Sequence, residues 1–361
     1  MTDPLKGEAS ALAPKLVAPQ HRPRPLTLFL ELVREETAGD PQRLAHVLTG
    51  LRKYQEAQRE APLPPKPSIA QRRGAALRDY GGDGPPVIFI PSLINPPNVL
   101  DLSEERSLLR WLAAQGLHVL LLDWGWDVAA RRSLSVAGHV EEIAVPFIDS
   151  LDEPPAVVGH CLGGTMAVAA AALAQVRSLA TIAAPWRFSA FPEGARTNLI
   201  HLWRRSEPAA ERLGALPMEV LQSAFWRLDP VRTVSKFERL AGLPPGSDEM
   251  RAFVALEDWA NDGPPLPVAA AREMFEIFFG NDAPGRSAWR AGGIPVHPAE
   301  LPCPVLNIAS VSDRIVPHAS APAHGERIDL ELGHVGMVVG SRARALLWEP
   351  LLDWLSRARS S

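Results

Sequence analysis

The chain has 361 residues, 46% of them hydrophobic and 22% charged, so its composition is that of a globular protein with one large domain or two small ones. Its 37 basic and 41 acidic side chains leave a formal net charge of −4, which argues against a basic nucleic-acid-binding surface. Two cysteines cannot build a disulfide framework, and no apolar run approaches the roughly 18 residues of a membrane helix. Since the N-terminus also lacks an apolar leader, we predict a soluble, cytoplasmic protein without a membrane span.

Residues 1–68 are predicted to form an N-terminal helical segment that ends in a proline-rich linker. Residues 26–36 and 42–60 carry apolar side chains near helical spacing. Residues 61–68 contain four prolines, which remove backbone donors and favour an extended spacer. We therefore predict a domain boundary after residue 68.

From residue 69 onward, short apolar runs alternate with amphipathic stretches. The apolar runs predict strands over 87–90, 118–123, 156–158, 179–183, 304–309 and 327–332. The stretches between and after them predict helices over 107–115, 136–151, 164–174 and 343–356. This alternation predicts an α/β fold with a mostly parallel sheet flanked by helices, built from residues 69–185 and 300–361.

Residues 186–299 interrupt the alternation and are predicted to form an inserted helical cap. Helices are expected over 217–228, 250–261 and 268–279. The insert leaves and rejoins the sheet at the strand ends, so the cap should cover those ends. Most of its aromatic side chains are expected to hold the cap to the core, and the others to line an apolar channel: Trp203, Phe225, Trp226, Phe253, Trp259, Phe275, Phe278 and Phe279.

A Gly-x-Cys-x-Gly motif lies between a predicted strand and a predicted helix, with Cys161 at its centre between Gly159 and Gly163. A nucleophile on such a tight turn sits at a strained backbone angle, and the glycines allow close packing around it. The N-terminus of the following helix directs free N–H groups at a developing oxyanion. We predict that Cys161 is a nucleophile; the alternative is a buried, inert small side chain.

A cysteine nucleophile needs a base, and His334 follows the last predicted strand in a Gly-His loop. Asp313 follows strand 304–309 and should orient His334 from the carboxyl edge of the sheet. The alternatives are a surface-loop histidine and an ordinary solvated aspartate. The order Cys, Asp, His along the chain is that of α/β hydrolases. His160 should face away from Cys161, because side chains alternate along a strand.

The oxyanion hole should use the backbone N–H of Leu162, the residue after the nucleophile, and one N–H from the loop after strand 87–90. The sequence contains neither paired metal-ligand spacing nor a phosphate-binding glycine loop. We therefore expect no metal and no bound cofactor.

In this order, the segments resemble polyhydroxyalkanoate synthases, which have the α/β-hydrolase fold. The resemblance covers about residues 80–356 and rests on IPSLIN (90–95), VLDL (99–102), LDWG (122–125), GHCLGGT (159–165), DRIVP (313–317) and Gly333-His334. The chain length is closest to the short catalytic subunit of the two-subunit class, class III.

The resemblance implies that Cys161 holds the acyl chain, that His334 activates it, and that Asp313 assists His334 or the incoming hydroxyl. It also implies that Ile94 supplies the second oxyanion N–H. The implied substrate is (R)-3-hydroxyacyl-CoA, the product a polyester, and CoA a leaving group. The implied partner is a helical subunit or a second copy of the chain, and the implied location includes polymer granules.

A cysteine nucleophile favours transfer from a thioester, because one thioester is exchanged for another and the bound acyl group stays activated. Three functions remain open at this point. They are a polymerising acyltransferase, a Cys-dependent hydrolase (a thioesterase, an esterase or a dienelactone-hydrolase-like enzyme), and a non-catalytic granule-associated protein.

Overall fold

The computed structural model describes residues 21–358, and an eight-stranded sheet forms its centre. The strands of this sheet are β1 (Ser68–Arg72), β2 (Ala75–Asp79), β3 (Pro86–Ile90), β4 (His118–Asp123), β5 (Ala156–His160), β6 (Ser178–Ile182), β11 (Val305–Ser310) and β12 (Glu326–Leu330). Two further pairs of two-residue strands, β7 (Ala215–Leu216) with β8 (Leu266–Pro267) and β9 (Arg290–Ala291) with β10 (Ile294–Pro295), lie outside it.

The strand order in the sheet is β1-β2-β4-β3-β5-β6-β11-β12. The six strands from β4 to β12 are parallel, and only β1 and β2 run antiparallel to their neighbours. Because β3 to β6 are apolar over nearly their whole length, they can be buried on both faces, as a parallel sheet requires. The predicted mostly parallel α/β sheet is confirmed.

The helices of the core cover both faces of this sheet. The α-helices of the chain are α1 (Leu26–Glu36), α2 (Pro41–Glu56), α3 (Leu108–Ala114), α4 (Val136–His139), α5 (Val145–Asp149), α6 (Leu162–Leu173), α7 (Glu193–Leu213), α8 (Met218–Trp226), α9 (Pro230–Gly242), α10 (Asp248–Ala260), α11 (Val268–Arg272), α12 (Gly336–Val339) and α13 (Glu349–Arg357). Segments with π-helical bonding join α4 to α5, extend α11 and precede α13: Val140–Ala144, Glu273–Gly280 and Arg344–Trp348.

Alternate side chains of the strands enter two separate apolar clusters. On β3, Ile88 belongs to one cluster and Phe89 to the other; on β5, Val157 and Val158 divide in the same way. The first cluster packs against α6 and much of the insert, and the second packs against α3, α12 and α13. This division follows from the two-residue period of a strand.

The hairpin of β1 and β2 was not predicted. Its turn uses Arg73 and Gly74, both with positive φ (52° and 75°), and β2 joins the sheet by antiparallel pairing with β4. The β2 sequence, AALRD, has no β-branched or aromatic residue, so it carries no local strand signal. Strand β1 begins at Ser68, next to the predicted boundary after residue 68. The predicted domain boundaries at residues 68, 185 and 299 stay predictions.

The insert between β6 and β11 is mostly helical and contains α7 to α11. Two of its helices, α7 and α9, were not predicted. The α7 sequence is polar and contains Pro208, which interrupts the helical pattern in the sequence but not the helix itself. Within residues 21–358, no helix combines the length and the apolar character that crossing a bilayer would require.

Helices α1 and α2 pack on the insert, and their contact surface is a third apolar cluster. Phe29, Leu51 and Tyr54 contact Phe237 of α9 or its neighbours in this cluster. The approach is so close that a Cβ at Gly50 would lie 1.8 Å from the carbonyl oxygen of Phe237. The N-terminal helices therefore pack closely on α9 of the insert.

Candidate active site

Cys161 lies on the sharp turn between β5 and α6. Its backbone angles are φ 55° and ψ −129°, a conformation that is costly for a residue with a Cβ. The turn is held in place because the N–H of Cys161 donates to the carbonyl of Ile182 (2.9 Å) and its own carbonyl accepts from Gly164 (2.8 Å). The side chain is half-buried, as a reactive group needs.

The two glycines of the motif are required by close packing. A Cβ on Gly159 would lie 2.5 Å from the carbonyl oxygen of Gly163, and a Cβ on Gly163 would lie 2.1 Å from the carbonyl oxygen of Ile90. Real Cβ atoms do not approach backbone atoms so closely. The Gly-x-Cys-x-Gly spacing therefore follows from how tightly α6 packs against β3 and β5.

Asp313 and His334 lie on the loops after β11 and β12, and they meet at the carboxyl edge of the sheet. Asp313 Oδ2 lies 2.7 Å from His334 Nδ1, and Asp313 Oδ1 accepts from the N–H groups of Ile315 (2.8 Å) and Val316 (3.0 Å). The hydroxyl of Ser310 links the two loops, because it accepts from Leu332 N–H at 3.1 Å. The structure thus brings Asp313 and His334 together, and Cys161 lines the same cavity as His334.

Charge and hydrogen bonds control the protonation of this buried pair. Burial by itself raises the pKa of Asp313, but the charge and hydrogen bond of His334 and two backbone N–H groups lower it below its ordinary value. Burial by itself lowers the pKa of His334, but Asp313, Cys161 and the hydrogen bonds to both raise it well above its ordinary value. The His334 imidazole therefore binds a proton readily next to the Cys161 sulfur.

Replacing Asp313 with asparagine is expected to lower the pKa of His334. The amide keeps a hydrogen-bond acceptor but removes the charge that opposes the effect of burial. The measurement is an NMR titration of the His334 ring. Asp329→Asn is the matched control, because Asp329 Oδ1 lies 2.7 Å from Nε2 of the exposed His318. A His334 titration that Asp313→Asn leaves unchanged would show that the Asp313 charge does not stabilise the imidazolium.

The expectation that His160 faces away from Cys161 is wrong. His160 and Cys161 line the same cavity, and the rings of His160 and His334 are 5.6 Å apart between centroids. The positive φ of Cys161 breaks the alternation on which the expectation was based. Burial and then the charge of His334 lower the pKa of His160 to about 3, so this ring is neutral at physiological pH. Its Nε2 is buried and has no hydrogen-bond partner among residues 21–358.

The two backbone N–H groups predicted to bind the oxyanion differ in their hydrogen-bond acceptors in this structure. Leu162 is the first residue of α6, so its N–H has no intrahelical acceptor. Ile94 lines the cavity, but its N–H donates to the hydroxyl of Ser92 at 3.1 Å. Ser92 would have to rotate before Ile94 could donate to a substrate. Both assignments stay predictions.

A cavity of about 350 Å³ surrounds Cys161, and the insert forms most of its far wall. The wall residues from the insert include Gln222, Phe225, Trp226, Leu228, Arg232, Leu256 and Trp259. The Trp259 ring N–H donates to the carbonyl of Pro96 at 2.8 Å and so joins the insert to the loop after β3. Of the eight aromatic residues of the insert, Phe225, Trp226 and Trp259 line the cavity. Trp203, Phe275 and Phe278, for example, are buried in the first apolar cluster and hold the insert to the core.

Two cationic side chains in the cavity wall were not identified from the sequence. Arg232 and Arg314 both line it, and neither guanidinium is paired with an acidic side chain within residues 21–358. Arg232 Nη2 lies 3.2 Å from where a Cβ of Gly333 would be, so it covers the loop that carries His334. In the described part of the chain, no group of three or more His, Cys, Asp or Glu side chains is placed to hold a metal ion.

Comparison with known proteins agrees with this architecture. Residues 87–347 match the alpha/beta hydrolase family model, and the chain belongs to that family. The PhaC subunit of the poly(3-hydroxyalkanoate) polymerase of Allochromatium vinosum is 28% identical over 291 residues, which cover 75% of this chain and 80% of that subunit. The PhaC subunit of Synechocystis sp. is 25% identical over 294 residues, which cover 75% and 77%.

Among solved structures, the alpha/beta hydrolase GrgF from Penicillium sp. sh18 is similar with a TM-score of 0.49 and 18% identity, covering 83% of this chain and 100% of that one. The resemblance to polyhydroxyalkanoate synthases predicted from the sequence motifs is confirmed by the PhaC relatives.

Proposed function

We propose that this protein is an acyltransferase that polymerises (R)-3-hydroxyacyl-CoA into polyhydroxyalkanoate through a covalent acyl-Cys161 intermediate. The main support is Cys161 on a strained turn, beside an Asp313-paired His334, in a covered cavity of a chain similar to PhaC subunits. CoA is the leaving group, and no bound cofactor takes part. The proposal includes the polymer granule as the place of action, with a helical subunit or a second copy of the chain as partner.

In the first step, the Cys161 thiolate attacks the carbonyl carbon of the acyl-CoA thioester. The oxyanion that forms accepts from the N–H of Leu162 and, after Ser92 rotates, from that of Ile94. The bond between the carbonyl carbon and the CoA sulfur then breaks, and the His334 imidazolium gives its proton to that sulfur. The products are acyl-Cys161, neutral His334 and free CoA.

In the second step, His334 accepts the proton of the 3-hydroxyl group of another hydroxyacyl-CoA. The hydroxyl oxygen attacks the acyl-Cys161 carbonyl, an oxoester bond forms, and the bond to the Cys161 sulfur breaks. The thiolate and the imidazolium are restored. The extended CoA thioester can acylate Cys161 again, which lengthens the chain by one monomer in each cycle.

The proposed role of Asp313 is to orient His334 and stabilise its charge. Both carboxylate oxygens are already occupied, Oδ2 by His334 and Oδ1 by two backbone N–H groups. This leaves the carboxylate poorly placed to accept a proton from an incoming hydroxyl. Of the two roles that the resemblance implies, these contacts therefore support assistance to His334.

The proposal is tested by incubating the purified protein with (R)-3-hydroxybutyryl-CoA and following free CoA, polyester and free 3-hydroxybutyrate. Release of CoA with formation of polyester is the expected result. Release of CoA with only the free acid would identify a thioesterase instead. A protein that releases no CoA, alone or with an added helical subunit, would be a non-catalytic member of the family.

Replacing Trp259 with alanine is expected to raise the fraction of free hydroxy acid among the products. The side chain closes the cavity between the insert and the loop after β3, so its loss admits water to the acyl-Cys161 thioester. The ratio of free acid to polyester measures the effect. Trp126→Ala is the matched control, because Trp126 is 61% exposed and does not line the cavity. An unchanged ratio in Trp259→Ala would contradict a water-excluding role.

A further inference from the structure

Residues 257–263, the end of α10 and the turn after it, lie between the N-terminal segment and the loop after β3. Asp258 binds the N-terminal segment, whereas the Trp259 ring N–H donates to the carbonyl of Pro96 in the loop at 2.8 Å. We propose that Asp258 is a positioning residue of the active site. Anchored by the N-terminal segment, it holds residues 257–263 against the loop and so fixes the Ile94 N–H. This inference rests on the proposed function.

Two side chains of the N-terminal segment hold the Asp258 carboxylate. The Tyr54 hydroxyl donates to Oδ1 at 2.7 Å, and the Arg59 guanidinium donates to Oδ2 from Nε (3.0 Å) and to Oδ1 from Nη2 (3.1 Å). The exposed His21 ring makes a longer contact, 3.5 Å from Oδ1. Because a guanidinium that binds both carboxylate oxygens fixes their orientation, the N-terminal segment fixes α10 at this residue.

The other end of residues 257–263 packs against the backbone of the loop. A Cβ on Gly263 would lie 3.0 Å from the carbonyl oxygen of Ile94 and 3.4 Å from Cδ of Pro96, and its φ of 146° favours glycine. Nearby, Asn261 Oδ1 accepts from the backbone N–H of Arg24 at 3.1 Å. Residues 257–263 therefore contact the loop at two points and the N-terminal segment at two others.

The position of this loop decides whether the proposed oxyanion donor works. The Ile94 N–H must come within about 3 Å of the oxyanion, and a displacement of about 1 Å caused by a distant substitution costs up to about 10²-fold in rate. Asp258 does not line the cavity, so it acts through Trp259 and Gly263 and not on the substrate. This gives the N-terminal helices a part in catalysis without any contact with the reacting atoms.

A second ion pair across the same interface separates positioning from general stability. Arg43 of α2 binds Glu238 of α9. The side chains of Glu238 and Asp258 are similarly exposed, 28% and 26%, and neither lines the cavity. Loss of either pair weakens the packing of the N-terminal helices on the insert, but only loss of the Asp258 pair releases residues 257–263.

The test compares Asp258→Ala with the double variant Tyr54→Phe/Arg59→Ala in the full-length protein, so that the contact is removed from each side in turn. Asp258→Asn is the conservative variant, since its amide keeps an acceptor for Tyr54. Glu238→Ala is the matched control.

Two rates are measured. The first is CoA release in a single turnover with saturating (R)-3-hydroxybutyryl-CoA. The second is alkylation of Cys161 by iodoacetamide in a Cys303→Ala background, a reaction that needs no oxyanion donor.

We expect Asp258→Ala and the double variant to slow the first CoA release about tenfold, within the range that a displaced donor produces. Alkylation of Cys161 should be no slower than in the unsubstituted protein, because the thiol and His334 are unchanged. Asp258→Asn should give an intermediate rate of CoA release, and Glu238→Ala the wild-type rate.

Wild-type CoA release in either Asp258→Ala or the double variant would overturn the inference. Equal slowing in Glu238→Ala would also overturn it, because the effect would then be one of stability, and so would alkylation slowed as much as CoA release. An unsubstituted protein that releases CoA but forms no polyester would contradict the proposed function, while the rates of CoA release would still decide the role of Asp258. An unsubstituted protein that releases no CoA would contradict both.

Discussion

Replacing Cys161 with alanine is expected to abolish CoA release while the protein stays folded. The substitution removes the sulfur that forms the covalent bond, and loss of a covalent nucleophile lowers kcat by a factor on the order of 10⁶. Alanine is smaller than cysteine and has the same Cβ, so the backbone conformation at φ 55° is neither newly strained nor sterically blocked. CoA release from (R)-3-hydroxybutyryl-CoA and a thermal unfolding curve measure the two parts of the prediction.

Two further variants sharpen this test. Cys161→Ser keeps the shape of the side chain, but an alcohol is far less acidic than a thiol, so its activity should lie well below that of wild type. Cys303→Ala is the matched control, since Cys303 is half-buried outside the cavity and burial raises its pKa to about 11. If Cys161→Ala kept a substantial part of the CoA-release activity, the assignment of the nucleophile would be wrong.

Replacing His334 with alanine is expected to lower the rate of CoA release by about 10²–10⁴-fold, the usual cost of losing a general base. The imidazole carries the proton that both proposed steps exchange. His160 is a poor substitute for it, because burial lowers the pKa of His160 to about 3 and makes it a weak base. The same substitution should slow alkylation of Cys161 at neutral pH, since the imidazolium stabilises the thiolate.

Alkylation is best followed in a Cys303→Ala background, so that Cys161 is the single thiol. His318→Ala is the matched control, because His318 also lies next to an aspartate, Asp329, but on the exposed surface. A His334→Ala variant that is alkylated with the wild-type pH profile would mean that the two side chains do not act as neighbours. A variant that is alkylated slowly but still releases CoA at the wild-type rate would separate thiol activation from turnover.

The central strands and the turn around Cys161 could be predicted from the sequence because their signals are local. Strand β4 was predicted with its observed limits, and β3, β5, β6 and β11 were predicted to within two residues, since strands buried on both faces must be continuously apolar. The Gly159 and Gly163 positions follow from contacts between adjacent elements. The order of Cys161, Asp313 and His334 along the chain predicted that the three would meet, because parallel strands end at one edge.

Other features depend on contacts between distant segments, which no local pattern encodes. The AALRD sequence of β2 forms a strand because it pairs with the edge of β4. The positions of α1 and α2 are set by their packing on α9 of the insert. The positions of the side chains around the cavity also depend on contacts between distant segments. The His160 ring lies near that of His334, the Ser92 hydroxyl accepts from the Ile94 N–H, and the insert contributes Gln222 and Arg232 to the cavity wall. Apolar periodicity reports which residues are buried, whereas their partners depend on how separately folded surfaces pack together.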